Sequence, residues 1–123
     1  MLQPLAILCY ERVMPGSQLA NRLQDLNYRV LVVNDPSLLV ATARRESPLL
    51  IFVDMVHRGD VVGTISQLKA EADFRHLPVV AFASDKDEEL LTMAQQTGAR
   101  LAVGESALTG HLQQILEQAL QLD

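Results

Sequence analysis

Four side chains carry the chemistry this sequence can offer at one place: Glu11, Asp54, Ser84 and Glu105. Asp54 closes the run Leu49-Leu50-Ile51-Phe52-Val53, opened by Pro48. A short, continuously apolar run of this kind reads as a strand buried on both faces. A carboxylate at the carboxyl end of such a strand lies where open α/β sheets bind their ligands. It suits a phosphoacceptor or a magnesium ligand, and both roles need partners. Glu11 follows an earlier apolar run, Ser84 a later one and Glu105 the last.

The elements that must position these residues follow from periodicity. Leu5 to Tyr10 reads as a first buried strand, and Pro15-Gly16-Ser17 as a break that offers a helix cap. Leu19, Leu23 and Leu26 then recur at helical spacing. A second strand spans Arg29 to Val33, and the turn Asp35-Pro36-Ser37 leads into a helix from Leu38 to Arg45. After Asp54, a third helix runs from about Val61 to Ala72, with Val62, Ile65 and Leu68 in one stripe. Leu77 to Ala83 is a fourth strand, and Ser84 to Glu88 caps a fourth helix that Thr97-Gly98 ends. Leu101 to Val103 is a short fifth strand. Ser106 opens a single fifth helix carrying Leu108, Leu112, Ile115, Leu116 and Ala119. Five strands alternating with five helices demand a parallel sheet covered on both faces, so residues 1–123 read as one α/β domain. Its crevice gathers Tyr10-Glu11, Asp54, Ser84 and Gly104-Glu105.

Composition bounds the function. The chain is 49% hydrophobic and 20% charged, with net charge −5, which is a globular profile. No continuous basic stretch offers a nucleic-acid footprint, and the acidity opposes phosphate-backbone binding. Apolar runs are too short to span a bilayer, and Met1-Leu2-Gln3-Pro4 lacks a charged leader, so a cytoplasmic location is expected. The single cysteine, Cys9, excludes an internal disulfide and reads as a small core residue. His57, His76 and His111 are scattered, with no zinc spacing. Gly59 and Gly63 are isolated, so no phosphate-cradling loop supports a small-molecule sensor at the crevice.

The order of three segments resembles the receiver domain of two-component response regulators. They are Leu49 to Val56 with Gly59, then Leu77-Pro78-Val79-Val80, then Gly98-Ala99-Arg100. The resemblance covers essentially the whole chain and implies a flavodoxin-like (βα)5 doubly wound, five-stranded parallel sheet. It implies Asp54 as phosphoacceptor, an acid pair after the first strand that helps hold magnesium, a hydroxyl after the fourth strand that contacts the phosphoryl group, and a lysine after the fifth that neutralises it. This chain departs from that set. The acid-pair positions read Tyr10-Glu11, Ala83 stands at the hydroxyl position, Glu105 at the lysine and Ser106 at the proline that usually follows. A unit-charge pair near a protein surface is worth about 4 kcal/mol at about 4 Å, so exchanging lysine for glutamate turns attraction of phosphate into repulsion. A one-residue slip brings Ser84 into the hydroxyl role, and Lys86 is the nearest lysine.

The expectation is a non-enzymatic pseudo-receiver that signals by protein contact, without conventional aspartyl phosphorylation and without a cofactor. The alternative is an atypical response regulator phosphorylated on Asp54 by a histidine kinase. It would use Glu11 and Asp54 for magnesium and Ser84 against the phosphate. A third arrangement clusters Glu11, Asp54 and Glu105 so that each raises another's proton affinity. Expected partners are a histidine kinase or an output domain, or a second copy in a homodimer. They would meet the face carrying Leu91, Leu101 and Gln113. One or two of Leu90, Leu91 and Met93 are expected at the surface, since all three cannot face one core.

Overall fold

Alternation sets the core. Strand residues point to opposite faces of a sheet in turn, so two interleaved sets of apolar residues are needed where both faces are covered. The structure, a computed structural model, describes residues 3–121. The termini, Met1-Leu2 and Leu122-Asp123, lie outside the described residues, and so does the leader reading at Met1-Leu2. The strands are β1 (Leu5–Cys9), β2 (Arg29–Val33), β3 (Leu50–Asp54), β4 (Val79–Ala83) and β5 (Leu101–Gly104). They form one parallel sheet in the order β2-β1-β3-β4-β5. Six α-helices are described, α1 (Val13–Asp25), α2 (Leu39–Glu46), α3 (Val61–Ala70), α4 (Glu88–Thr97), α5 (Glu105–Gly110) and α6 (Leu112–Ala119), with short 3-10 turns at Pro36–Leu38 and Ala72–Phe74. This is the doubly wound flavodoxin-like arrangement, and its strand order reverses between β1 and β3.

Ile7, Cys9, Ile51, Val53, Val79 and Ala81 pack with Leu39, Ile65, Leu68 and Ala94 on the α2, α3 and α4 side. Ala6, Leu8, Leu50, Phe52, Val80 and Phe82 pack with Leu19, Leu23, Leu108, Leu112 and Ile115 on the α1, α5 and α6 side. β1, β3 and β4 are buried along their whole length, while β2 and β5 form the half-covered edges.

Three expectations are corrected. The chain does kink just ahead of Pro15-Gly16-Ser17, but Ser17 does not cap α1. Pro15 and Gly16 lie inside its first turn, with the one non-helical residue at Met14 (φ −112°, ψ 131°). A proline tolerates a first turn because its missing N–H has no partner to lose there. Gly16 is needed because a Cβ would stand 2.3 Å from the Tyr10 ring. Ser84 does not cap α4; the Asp87 side chain does, accepting the Leu90 N–H at 3.3 Å. The expected fifth helix is two, interrupted at His111 (φ −133°, ψ 36°) directly after Gly110. Its apolar positions stay in phase across the break, which is why the pattern reads as one helix.

Candidate functional site

Leu50, Phe52 and Asp54 alternate onto the face covered by α1, α5 and α6. The Asp54 side chain therefore leaves the sheet toward the loops that begin α1 and α5, and it is fully buried. A buried carboxylate is tolerable only when paired and hydrogen-bonded. Arg12, in the loop between β1 and α1, supplies the pair. Its Nε donates to Oδ2 at 2.9 Å and its Nη2 to Oδ1 at 2.8 Å. The Val56 N–H donates to Oδ1 at 2.9 Å. Such a two-pronged guanidinium–carboxylate contact is among the strongest protein hydrogen bonds. From the far side, Glu105 brings Oε1 to 3.6 Å from Arg12 Nη1. The bond to Asp54, more than anything else, raises the proton affinity of Arg12 above its ordinary value. One guanidinium thus ties the ends of β1, β3 and β5 together.

Glu11 faces the other way. Its carboxylate accepts from Arg58 Nε at 2.9 Å, lies 2.8 Å from Arg58 Nη2, and accepts the Arg58 N–H at 3.2 Å. These bonds lower the Glu11 pKa below its ordinary 4.5. Beyond it, His57 bridges two loops: Nδ1 accepts the Gly59 N–H at 2.8 Å, and Nε2 lies 2.6 Å from the Asn34 carbonyl.

The expected acid cluster of Glu11, Asp54 and Glu105 is not formed. Asp54 and Glu105 meet Arg12 between them, and Glu11 is taken by Arg58. The same contacts answer the magnesium question. Magnesium requires oxygens in near-octahedral array. Glu11 and Asp54 instead hold separate arginines, and the Arg12 guanidinium stands against both Asp54 oxygens. Among the described residues, no three His, Cys, Asp or Glu side chains are grouped to hold a metal ion. The residues present do not fit the metal.

Ala83 is buried at the end of β4, opposite Gly104. The Ser84 hydroxyl accepts the Lys86 N–H at 3.4 Å within its own turn. Lys86 is exposed, and the cation beside Asp54 is Arg12. Asp85 reaches across to accept the Ser106 N–H at 3.1 Å, the bond that holds its carboxyl below the ordinary range. Gly104 allows this approach, since a Cβ there would lie 2.0 Å from Asp85 Oδ1. Leu91 and Leu101 are half-buried and Gln113 is exposed. Met93 is the outward residue of the Leu90, Leu91 and Met93 group, at 43% exposure.

Sequence reasoning missed Arg12 and Arg58. The available signal was strand parity: a buried acid at position 54 faces the loop after β1, where Arg12 is the cation.

No family model matches the chain, and no curated protein does. Solved structures match its fold. A response regulator described as putative from Chloroflexus aurantiacus superposes with a TM-score of 0.89 at 12% identity, covering 97% of this chain and 98% of that one. The receiver domain of NtrX from Brucella abortus gives 0.81 at 20% identity, covering 97% and 99%. A longer NtrX chain from the same organism, solved in complex with ADP, gives 0.82 at 20% identity. The present chain covers 27% of that longer chain's length. The fold is that of a response-regulator receiver domain.

Proposed function

We propose that this chain is a non-catalytic signalling module of receiver fold that has given up conventional aspartyl phosphorylation and acts through protein contact. The observation that carries this reading is the Arg12–Asp54 pair. Phosphoryl transfer to a carboxylate needs an oxygen accessible in line with the donor and a metal to gather the phosphate charge. Asp54 has no exposed side-chain surface, and both its oxygens accept from one guanidinium. Glu105 adds a negative charge where an incoming phosphoryl group would need a positive one. Relative to the receiver pattern, the charges are exchanged: the cation comes from the β1 loop and the anion from the β5 loop.

The second reading has one observation in its favour. Arg12 places a permanent cation beside Asp54, and that cation could serve a phosphorylated aspartate once displaced from its present bonds. On this reading a histidine kinase would phosphorylate Asp54, with Ser84 turning inward. Incubation with acetyl phosphate and magnesium, followed by a phosphate-affinity gel, separates the two. The proposal expects no shifted band in the native chain. A band that Asp54→Asn abolishes overturns it.

Protein contact then falls to the α4–β5–α6 face, where Leu91, Leu101 and Gln113 give a mixed surface for an output domain, a histidine kinase or a second copy. No helix of the described residues is long and apolar enough to cross a membrane.

A further inference from the structure

At the amino ends of β3, β4 and β5, opposite the Asp54 crevice, lies an open groove of about 810 Å³. Leu49, Phe74 and Leu77 give it apolar surface; Arg44, His76 and Arg100 rim it. Its volume falls within the roughly 300–1,000 Å³ typical of sites that take a compact organic group. Leu49 is the notable member. The strand it introduces is buried at every residue, yet Leu49 itself is 42% exposed, in a concavity rather than on a convex surface. Arg44 is held in place over the Phe74 ring, 5.4 Å from its centroid, by ion pairs to Glu71 and Asp73. Arg100 is steadied by donating to the Ala119 carbonyl at 3.0 Å and the Gln121 carbonyl at 3.2 Å. The rim is thus built before any partner arrives, which lowers the entropy a partner must surrender.

Charge indicates the partner. The chain is net acidic, −5, so a basic rim is no general property of its surface. Glu11, Asp35, Asp60, Asp85 and Glu105 all follow the carboxyl ends of strands. Arg44, Arg45, Arg75 and Arg100 precede the amino ends of β3, β4 or β5, with Glu46, Glu71 and Asp73 among them. The acids thus gather at one pole, and the apolar groove lies at the other, where cations are in slight excess. Asp73, 78% exposed, lines the same groove 3.6 Å from Arg44, so an incoming carboxylate meets Arg44 only by displacing it.

We propose that this groove is a second docking surface, distinct from the α4–β5–α6 face, for an acidic peptide segment of a partner protein. An aliphatic or aromatic side chain of that segment would lie against Leu49, Phe74 and Leu77, and its flanking aspartates or glutamates would meet Arg44, His76 and Arg100. An apolar anchor within a polar rim is the arrangement that concentrates binding energy, while the charges set orientation and on-rate. Nucleic acid is disfavoured because its binding needs a row of cations along a backbone and tolerates net acidity poorly. The inference is independent of the state of Asp54.

The test is selection of a random peptide display library on the whole immobilised chain, followed by titration of the selected peptides into isotope-labelled protein. Acidic peptides carrying one large apolar residue are expected. They should shift the amides of Leu49, Leu77 and Arg100, leave Asp54 unmoved, and bind more weakly as salt rises. Leu49→Asp and His76→Glu, both at exposed positions, should keep the native spectrum and weaken binding about tenfold or more, equivalent to about 1.4 kcal/mol. Failure to enrich any peptide, enrichment of basic ones, or acidic peptides that map elsewhere would overturn the proposal. So would binding of phosphatidylserine vesicles at these residues with no peptide selected, which would assign the groove to a membrane surface.

Discussion

A carboxylate removed from water keeps its charge only with a partner, and Asp54 has Arg12. Truncating Arg12→Ala leaves an uncompensated buried acid. Because Arg12 is 31% exposed, water can partly replace it, so the expected loss is about 2–3 kcal/mol in urea unfolding. The double variant with Asp54→Ala should recover part of that loss; two additive effects would mean that the pair does not exist in solution. Glu11 gives a pH prediction. Its folded pKa lies below 4.5 because of Arg58, so its contribution is present above pH 4.5 and fades as pH falls through the folded value. Asp35, lowered by Ser37, and Asp85, lowered by Ser106, act in the same direction below about pH 3.8. Glu11→Gln should flatten the acid limb of the stability curve, and an unchanged limb would refute the Glu11–Arg58 contact. Cys9 behaves oppositely. Burial, with help from Asp35 and Asp54, pushes its thiol up to about 12. Its stabilising effect is whole below pH 9 and is lost as pH rises toward 12. In native protein at pH 8 it should not react with a disulfide reagent, whereas unfolded chain should react at once.

At the scale of elements, the strands were the most legible part. Continuous apolar runs at 49–53 and 79–83 read as buried strands in a chain that alternates with helical stripes; the structure starts β3 at Leu50 and starts β4 at Val79, two residues after the expected Leu77. Helix ends were less legible, because several Ser and Asp side chains compete to cap. Ser84 had the favoured cap chemistry, but Asp87 stands three residues before the free Leu90 N–H and takes it. The break at His111 left no mark in the hydrophobic pattern. At the candidate site, Asp54 and Glu105 were readable from their places after β3 and β5. Arg12 was readable only through strand parity, since its role arises from the side to which Asp54 points and not from a slot in a motif. The link between the β4 and β5 loops was invisible, because Asp85 and Ser106 are distant in sequence. It yields a prediction: Gly104→Ala pushes the Asp85 carboxylate off the Ser106 N–H and should cost about 1 kcal/mol in thermal unfolding. Combined with Asp85→Ala, the effects should not add; full additivity would place Asp85 elsewhere.

The whole molecule has the fold of a receiver domain, with a cation in the loop after β1 and an anion just after β5 at its crevice. The sheet order sets β1 beside β3, so a cation in the loop after β1 reaches an acid at the end of β3. β5 lies two strands away, and only a long side chain there, Glu105, meets the same guanidinium. The fold thus brings these ends together whichever charges they carry. The most direct test is an amide NMR spectrum of the chain with magnesium, before and after beryllofluoride, a mimic of aspartyl phosphate. With Arg12 closed over Asp54, the spectrum should stay unchanged at saturating reagent. Shifts centred on Asp54, Ser84 and the end of β5 would show a working phosphoacceptor and contradict the account.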